Sequence, residues 1–140
     1  VVSRLVVALV VIAVAIVIAR HLERRRPAPP TRDAYPVPAQ LDRLDFPRPD
    51  APWLYVLFSS RTCDSCAAMV GRVCALESDS VATVQVEAKA DKALHDRYRI
   101  EGVPMVVLAD AEGVVRAGFV GAVDTWELEE ALVKAQAEPV

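Results

Sequence analysis

Trp53-Leu54-Tyr55-Val56-Leu57-Phe58-Ser59-Ser60-Arg61-Thr62-Cys63-Asp64-Ser65-Cys66 is the stretch on which the fold turns. Trp53 to Phe58 is a continuous apolar run, rich in aromatic and β-branched residues and bounded by Pro52 and Ser59. That is the pattern of a strand buried on both faces. A turn follows, and from Cys63 the period changes. Cys66, Met69, Val70, Val73, Cys74 and Glu77 recur at three- and four-residue steps, which predicts a helix with Thr62 as its N-cap, ended by Ser78 to Ser80.

The spacing of the first two cysteines on that helix carries chemistry. A thiol in the first helical turn meets unpaired backbone N–H groups and the positive end of the helix dipole, both of which favour thiolate over thiol. Cys63 is expected there and is assigned as the nucleophile. Cys66 lies one turn further along on the same side, within disulfide reach, and is assigned as the resolving thiol that attacks a mixed disulfide at Cys63. The chain has 3 cysteines in all, too few for a disulfide-stapled scaffold. A zinc half-site would need two more ligands from Cys74, His21 and His95. Cys74, three helical turns beyond Cys63, would stand roughly 16 Å away. No metal site is therefore expected, and Cys74 reads as a small buried hydrophobe.

Toward the C-terminus, Val81 to Val86 reads as a strand and Lys89 to Arg99 as a helix, with Leu94 and Tyr98 on one face and His95 on a solvated one. Gly102 and Pro104 introduce a strand from Met105 to Ala109. Asp110 to Gly113 form a hairpin turn into Val114 to Val120, closed by Gly121. Asp124 or Thr125 is expected to cap a last helix ending near Ala137. Trp126, Leu128, Leu132 and Val133 are placed inward, with Glu127, Glu129 and Glu130 on a solvated face. This order implies a mixed sheet, with parallel pairs where helices cross over, one antiparallel hairpin, and helices on both faces.

Cys63-Asp64-Ser65-Cys66 after the strand Trp53 to Phe58, then Gly102-Val103-Pro104-Met105-Val106-Val107 and Gly113 to Gly121, resembles the thioredoxin family over about residues 41–138. The resemblance implies a thioredoxin-like α/β/α sandwich with a mixed central sheet. It implies that Pro104 is cis and packs beside the cysteine pair, where it excludes metal, and that Val103 pairs through its backbone with an extended substrate segment. Thr62, before the first cysteine, is taken as a second substrate contact. There are departures. The family usually has Trp where this chain has Thr62 and Gly-Pro where it has Asp64-Ser65. Leu57 stands six residues before Cys63, where the family keeps a buried proton-accepting aspartate. Deprotonation of Cys66 must then use water or another group. Asp64 opposes a thiolate at Cys63, with Arg61 as the expected offset.

The N-terminus is of another kind. Apolar residues make up 54% of the chain, and the excess lies in Leu5 to Ala19, a run without a charged side chain. As helix it rises about 23 Å, or roughly 28 Å counted from Val1 with Arg4 snorkelling, against a hydrocarbon core of about 30 Å. The run ends in Arg20, His21, Leu22, Glu23 and three arginines rather than a small-residue cleavage site, so residues 1–22 are expected to be one uncleaved transmembrane anchor. More arginine follows the run than precedes it. The positive-inside rule then places the domain in the cytoplasm, against the outward orientation of many tethered proteins of this fold. Residues 23–40 read as a basic, proline-rich linker, an extended spacer from Pro27 to Pro38. Gln40 to Phe46 reads as a short edge strand.

The net charge of −3 combines this basic end with an acidic remainder, which excludes nucleic acid as a partner. No nucleotide, phosphate or metal motif is present, so no cofactor is expected. The reading is a thiol–disulfide oxidoreductase acting on a protein thiol or disulfide. Its alternative is a non-catalytic binding or assembly module, or redox sensor, for a membrane partner.

Overall fold

The strand expected at the centre is there. β1 (Trp53–Ser59) is buried from Leu54 to Ser59 and is flanked on both sides. The computed structural model describes residues 1–24 and 35–138, without the side chains of 19–24. The chain divides into two units, Val1–Thr31 and Arg32–Val140. In the second, β1 is followed by α2 (Asp64–Cys74), β2 (Val81–Glu87), α3 (Lys92–Arg97), β3 (Met105–Ala109), β4 (Val115–Val120) and α4 (Thr125–Ala137). The first contains α1 (Val2–Arg24).

The sheet has the order β2-β1-β3-β4. β1 and β2 run parallel in a register that sets Ser59 opposite Glu87. β3 runs antiparallel to β1, with Met105 opposite Phe58, and β4 antiparallel to β3. The sheet is mixed, as expected, but among the described strands only β1 and β2 are parallel. The connection through α3 delivers β3 to the other side of β1 with reversed direction.

Alternation along β1 sorts the core into two layers, because successive side chains point to opposite faces. Leu54, Val56 and Phe58 pack with Leu41, Phe46 and the α3 side, while Tyr55 and Leu57 pack with Met69 and Val73 of α2 and Leu128 of α4. The Tyr55 hydroxyl donates to the Leu128 carbonyl at 2.5 Å, fixing α4 to the sheet.

Several expectations are corrected. Gln40 to Phe46 is not a strand. Gln40 makes one bridge to Val114, and Arg43–Asp45 form a 3-10 turn because Asp42 accepts from the Leu44 N–H at 3.0 Å. Arg43 is buried there, donating to the carbonyls of Asp110 and Ala51, both at 2.8 Å. α3 begins at Lys92, since Glu87 accepts from the Lys89 and Ala90 N–H groups and holds residues 88–90 in a turn. His95 is buried rather than solvated, its Nε2 3.0 Å from the Val86 carbonyl and its ring edge-on to Phe58. On α4, Leu128 is buried but Trp126 and Val133 are exposed, so the buried stripe passes through Leu128 and Ala135 instead. Asp124 is the cap, completed by Glu127, which accepts the Asp124 N–H at 3.0 Å.

The expected transmembrane span is also corrected. α1 is helical, and its apolar side chains from Leu5 to Ile18 are exposed. Among the described residues, however, no helix is long and apolar enough to cross a membrane. The uncharged run supplies only about 23 Å of rise. Most of the expected spacer, residues 25–34, lies outside the described residues.

Burial pushes the Tyr55 hydroxyl above the ordinary tyrosine value, and the charge of Glu129 adds to the shift. The folded domain therefore keeps a proton that the unfolded chain loses above about pH 10, so stability from this group is complete below that pH and is lost as pH rises. We predict that Tyr55→Phe lowers the unfolding free energy at pH 7 by about 1–2 kcal/mol with an unchanged denaturant slope. The same variant should lose less stability than the parent between pH 9 and 11, as read from urea midpoints.

Candidate active site

β1 ends at Ser59, and the chain turns at once into α2. The Cys63 N–H donates to the Ser60 carbonyl at 3.1 Å, and the Cys66 N–H to the Cys63 carbonyl at 3.2 Å. The N-cap of α2 is Cys63 itself, not Thr62. Thr62 is exposed, and its hydroxyl lies 3.0 Å from that of Ser60. Cys63 thus sits where the unpaired N–H groups of the first turn converge.

Cys63 and Cys66 are joined as a disulfide with their Cα atoms 5.4 Å apart. The two sulfurs are not equivalent. Cys63 is half-buried at the surface, with Ser65 Oγ 3.6 Å from its sulfur, whereas Cys66 is 3% exposed. Cys63 is therefore the more accessible of the two residues. Cys74, expected to be buried, is a free and exposed thiol at the far end of α2, because the buried stripe runs through Cys66, Met69 and Val73.

A cleft of about 370 Å³ opens beside the disulfide on the β2 side, lined by Ser60, Arg61, Cys63, Cys66, Gln85 and Glu87 among others. A larger one of about 600 Å³ lies between β4 and α4 and holds no cysteine, so the sulfur chemistry selects the smaller. Arg61, in the same cleft, is drawn toward Glu87. Its Nε stands 4.0 Å from Glu87, and its own N–H donates to Glu87 Oε1 at 3.2 Å. Hydrogen bonds from Ala90 first, then from Arg61 and Lys89, hold the Glu87 carboxyl below the usual carboxylate range. Glu87 therefore joins the turn before the cysteines to the turn after β2. Sequence reasoning missed it, because only the strand register that sets Glu87 opposite Ser59 brings it to the site.

Leu57, six residues before Cys63, is 1% exposed and packs with Met69. No carboxylate occupies that position. On the other side of β1, the pairing of Phe58 with Met105 brings Val103 and Pro104 to the end of the sheet from which Cys63 is delivered. The Val103–Pro104 peptide is cis, Pro104 is buried, and its carbonyl accepts from the Gly121 N–H at 2.8 Å. Among the described residues, the N–H and C=O of Val103 have no hydrogen-bond partner. Among the described residues there is also no cluster of metal-ligating side chains.

This fold, with a C-x-x-C disulfide at the head of the first helix after the central strand, is thioredoxin-like. Among solved structures, the chain is similar to a point mutant of thioredoxin from Halobacterium salinarum NRC-1, at 27% identity over 73% of this chain and 90% of that one, with a TM-score of 0.56. It also resembles the structure of a malarial protein, at 14% identity over 60% of this chain and 97% of that one, again with a TM-score of 0.56. No protein-family profile and no curated protein matches it. The fold and the bonded cysteine pair fit a thiol–disulfide oxidoreductase role.

The depressed Glu87 carboxyl makes a prediction for acid stability. A carboxyl whose folded value lies below its unfolded one stabilises the fold above about pH 4.3 and ceases to do so as pH falls through the folded value. Glu87→Gln should therefore flatten the acid limb of the stability curve below about pH 4.5 relative to the parent. Thermal melts from pH 3 to 7 would show it, and an unchanged acid limb would contradict the hydrogen-bonded role of the carboxylate.

Proposed function

We propose that this chain is a cofactor-free thiol–disulfide oxidoreductase that acts on a protein partner. The observation that carries the proposal is the unequal access of two bonded sulfurs at the head of α2, Cys63 at the surface and Cys66 buried. From the disulfide form, a partner thiolate attacks Cys63 Sγ. A mixed disulfide forms, the Cys63–Cys66 bond breaks, and Cys66 departs as a thiolate that takes up a proton. A second partner thiolate then attacks the partner sulfur of that mixed disulfide and releases Cys63. The partner gains a disulfide, and the pair gains two electrons and two protons. Run backwards, the same steps reduce a partner disulfide, with Cys63 as nucleophile and Cys66 as resolving thiol.

The unpaired N–H and C=O of Val103 support recognition of an extended partner segment by strand-like pairing. Pro104, buried beside that free backbone, and Thr62, exposed just before Cys63, complete the contact surface. The buried hydrocarbon of Leu57 favours the second reading, a non-catalytic module or redox sensor, because no acid below the pair assists Cys66. Trapping separates the two. Cys66→Ser should accumulate a mixed disulfide at Cys63 that reducing agent releases, and Cys63→Ser should accumulate none; a binding module would give no adduct with either. A graded dithiothreitol series on the purified parent should show one two-electron transition.

We further propose that α1 attaches the protein to a membrane with the domain on the cytoplasmic side. Support comes from the exposed apolar side chains of Leu5 to Ile18 and from the arginines after them, at 20 and 24–26. The free thiol of Cys74 reports sidedness. An impermeant maleimide should label it in lysate and not in intact cells, and labelling of intact cells would reverse the orientation.

A further inference from the structure

Four of the five glycines in the second unit fall into two kinds. Gly113 and Gly121 hold φ of 82° and 92°, where a side chain is disfavoured by the backbone itself. Gly102 and Gly118 hold no such angle, so their lack of a side chain answers to space. A Cβ on Gly118 would stand 2.4 Å from Val37 Cγ1. One on Gly102 would stand 2.8, 2.9 and 3.1 Å from Cδ2, Cγ and Cε2 of Tyr35. Three ring atoms at nearly equal distances mean that Tyr35 presents its ring face to Gly102. The segment carrying both side chains is pinned further on, where the Ala39 carbonyl accepts from the Val115 N–H at 3.1 Å and Gln40 bridges to Val114. Residues 35–40 are thus a strap along β4, and its leading residue is seated next to Val103.

Tyr35 is 42% exposed, and among the described residues its hydroxyl has no hydrogen-bond partner. An aromatic ring packed on one face, open on the other, and one residue from an unpaired backbone is a side-chain shelf beside a candidate peptide-binding segment. We propose that Tyr35 is a specificity-determining residue of the partner groove. It receives an apolar side chain flanking the reactive cysteine of the extended segment that pairs with Val103. This rests on the oxidoreductase reading above and specifies which partner segments it acts on.

The test uses the full chain in its dithiol form and two peptide disulfides identical except for Leu or Ser on both sides of the cysteine. A small disulfide, 2-hydroxyethyl disulfide, carries no flanking side chain to place on the ring. The parent should reduce the Leu peptide about three- to tenfold faster than the Ser peptide, in second-order rate constant, as one aromatic–apolar contact allows. Tyr35→Ala should erase that preference and leave the rate with the small disulfide unchanged, while Tyr35→Phe keeps both. The proposal is overturned if the parent shows no preference, if the preference survives Tyr35→Ala, or if Tyr35→Ala slows all three substrates equally, the mark of a ring that merely props the loop. A parent that exchanges with none of the three would overturn the oxidoreductase reading itself.

Discussion

The site depends on a single constraint, that β1 must be covered on both faces and paired on both edges. Leu54, Tyr55, Val56, Leu57 and Phe58 are all at most 1% exposed. Burying side chains of this size stabilises by about 1.5–3 kcal/mol each, whereas a typical hydrogen bond contributes about 0.5–1.5 kcal/mol net. Core packing therefore sets the register, and the register sets the site. With Ser59 opposite Glu87 and Phe58 opposite Met105, three segments without sequence proximity arrive at one end of the sheet. They are the cysteine turn, the carboxylate that braces it, and the cis-peptide loop with its free backbone.

The same packing explains the asymmetry of the two sulfurs. α2 must bury Met69 and Val73 against Tyr55 and Leu57, and that face carries Cys66 inward with them. Cys63, at the cap, remains where the helix end meets solvent. Leu57 then fills the space under α2 with hydrocarbon, which strengthens the core and leaves no acid to take a proton from Cys66. Glu87 does not substitute for it. Its carboxylate is committed to the N–H groups of Arg61, Lys89 and Ala90, so it contributes position to the cysteine turn rather than basicity.

What could be read from sequence follows the range of the interactions concerned. β1, the cysteine spacing and the hairpin at Asp110–Gly113 were legible because each is specified by adjacent residues: a continuous apolar run, a one-turn repeat, a turn that needs the positive φ of Gly113. Features decided by distant partners were not. His95 lies between Asp96 and Arg97 and looks solvated, yet the Val86 carbonyl and the edge of Phe58 draw it inside. Cys74 continues a helical apolar pattern, yet the stripe that meets the sheet ends at Val73. Thr62 is a better intrinsic cap than cysteine, but the bond from Cys63 N–H to Ser60 starts the helix one residue later. The reach of α1 is a matter of length rather than pattern, and its pattern was plain.

The glycines carry the last of these distant interactions. A glycine before a proline reads as turn chemistry, and one in a strand reads as a weak point. Neither local reading accounts for Gly102 or Gly118, which have ordinary backbone angles and are crowded by Tyr35 and Val37 from more than sixty residues away. Side-chain removal at both positions costs the loop and β4 some conformational order, since glycine loses more freedom on folding than any other residue. That cost is offset by the strap, which restores apolar contact to the same face and ties the loop before Pro104 to residues 35–40. Tyr35 and Val37 thereby occupy the space that side chains at 102 and 118 would otherwise fill.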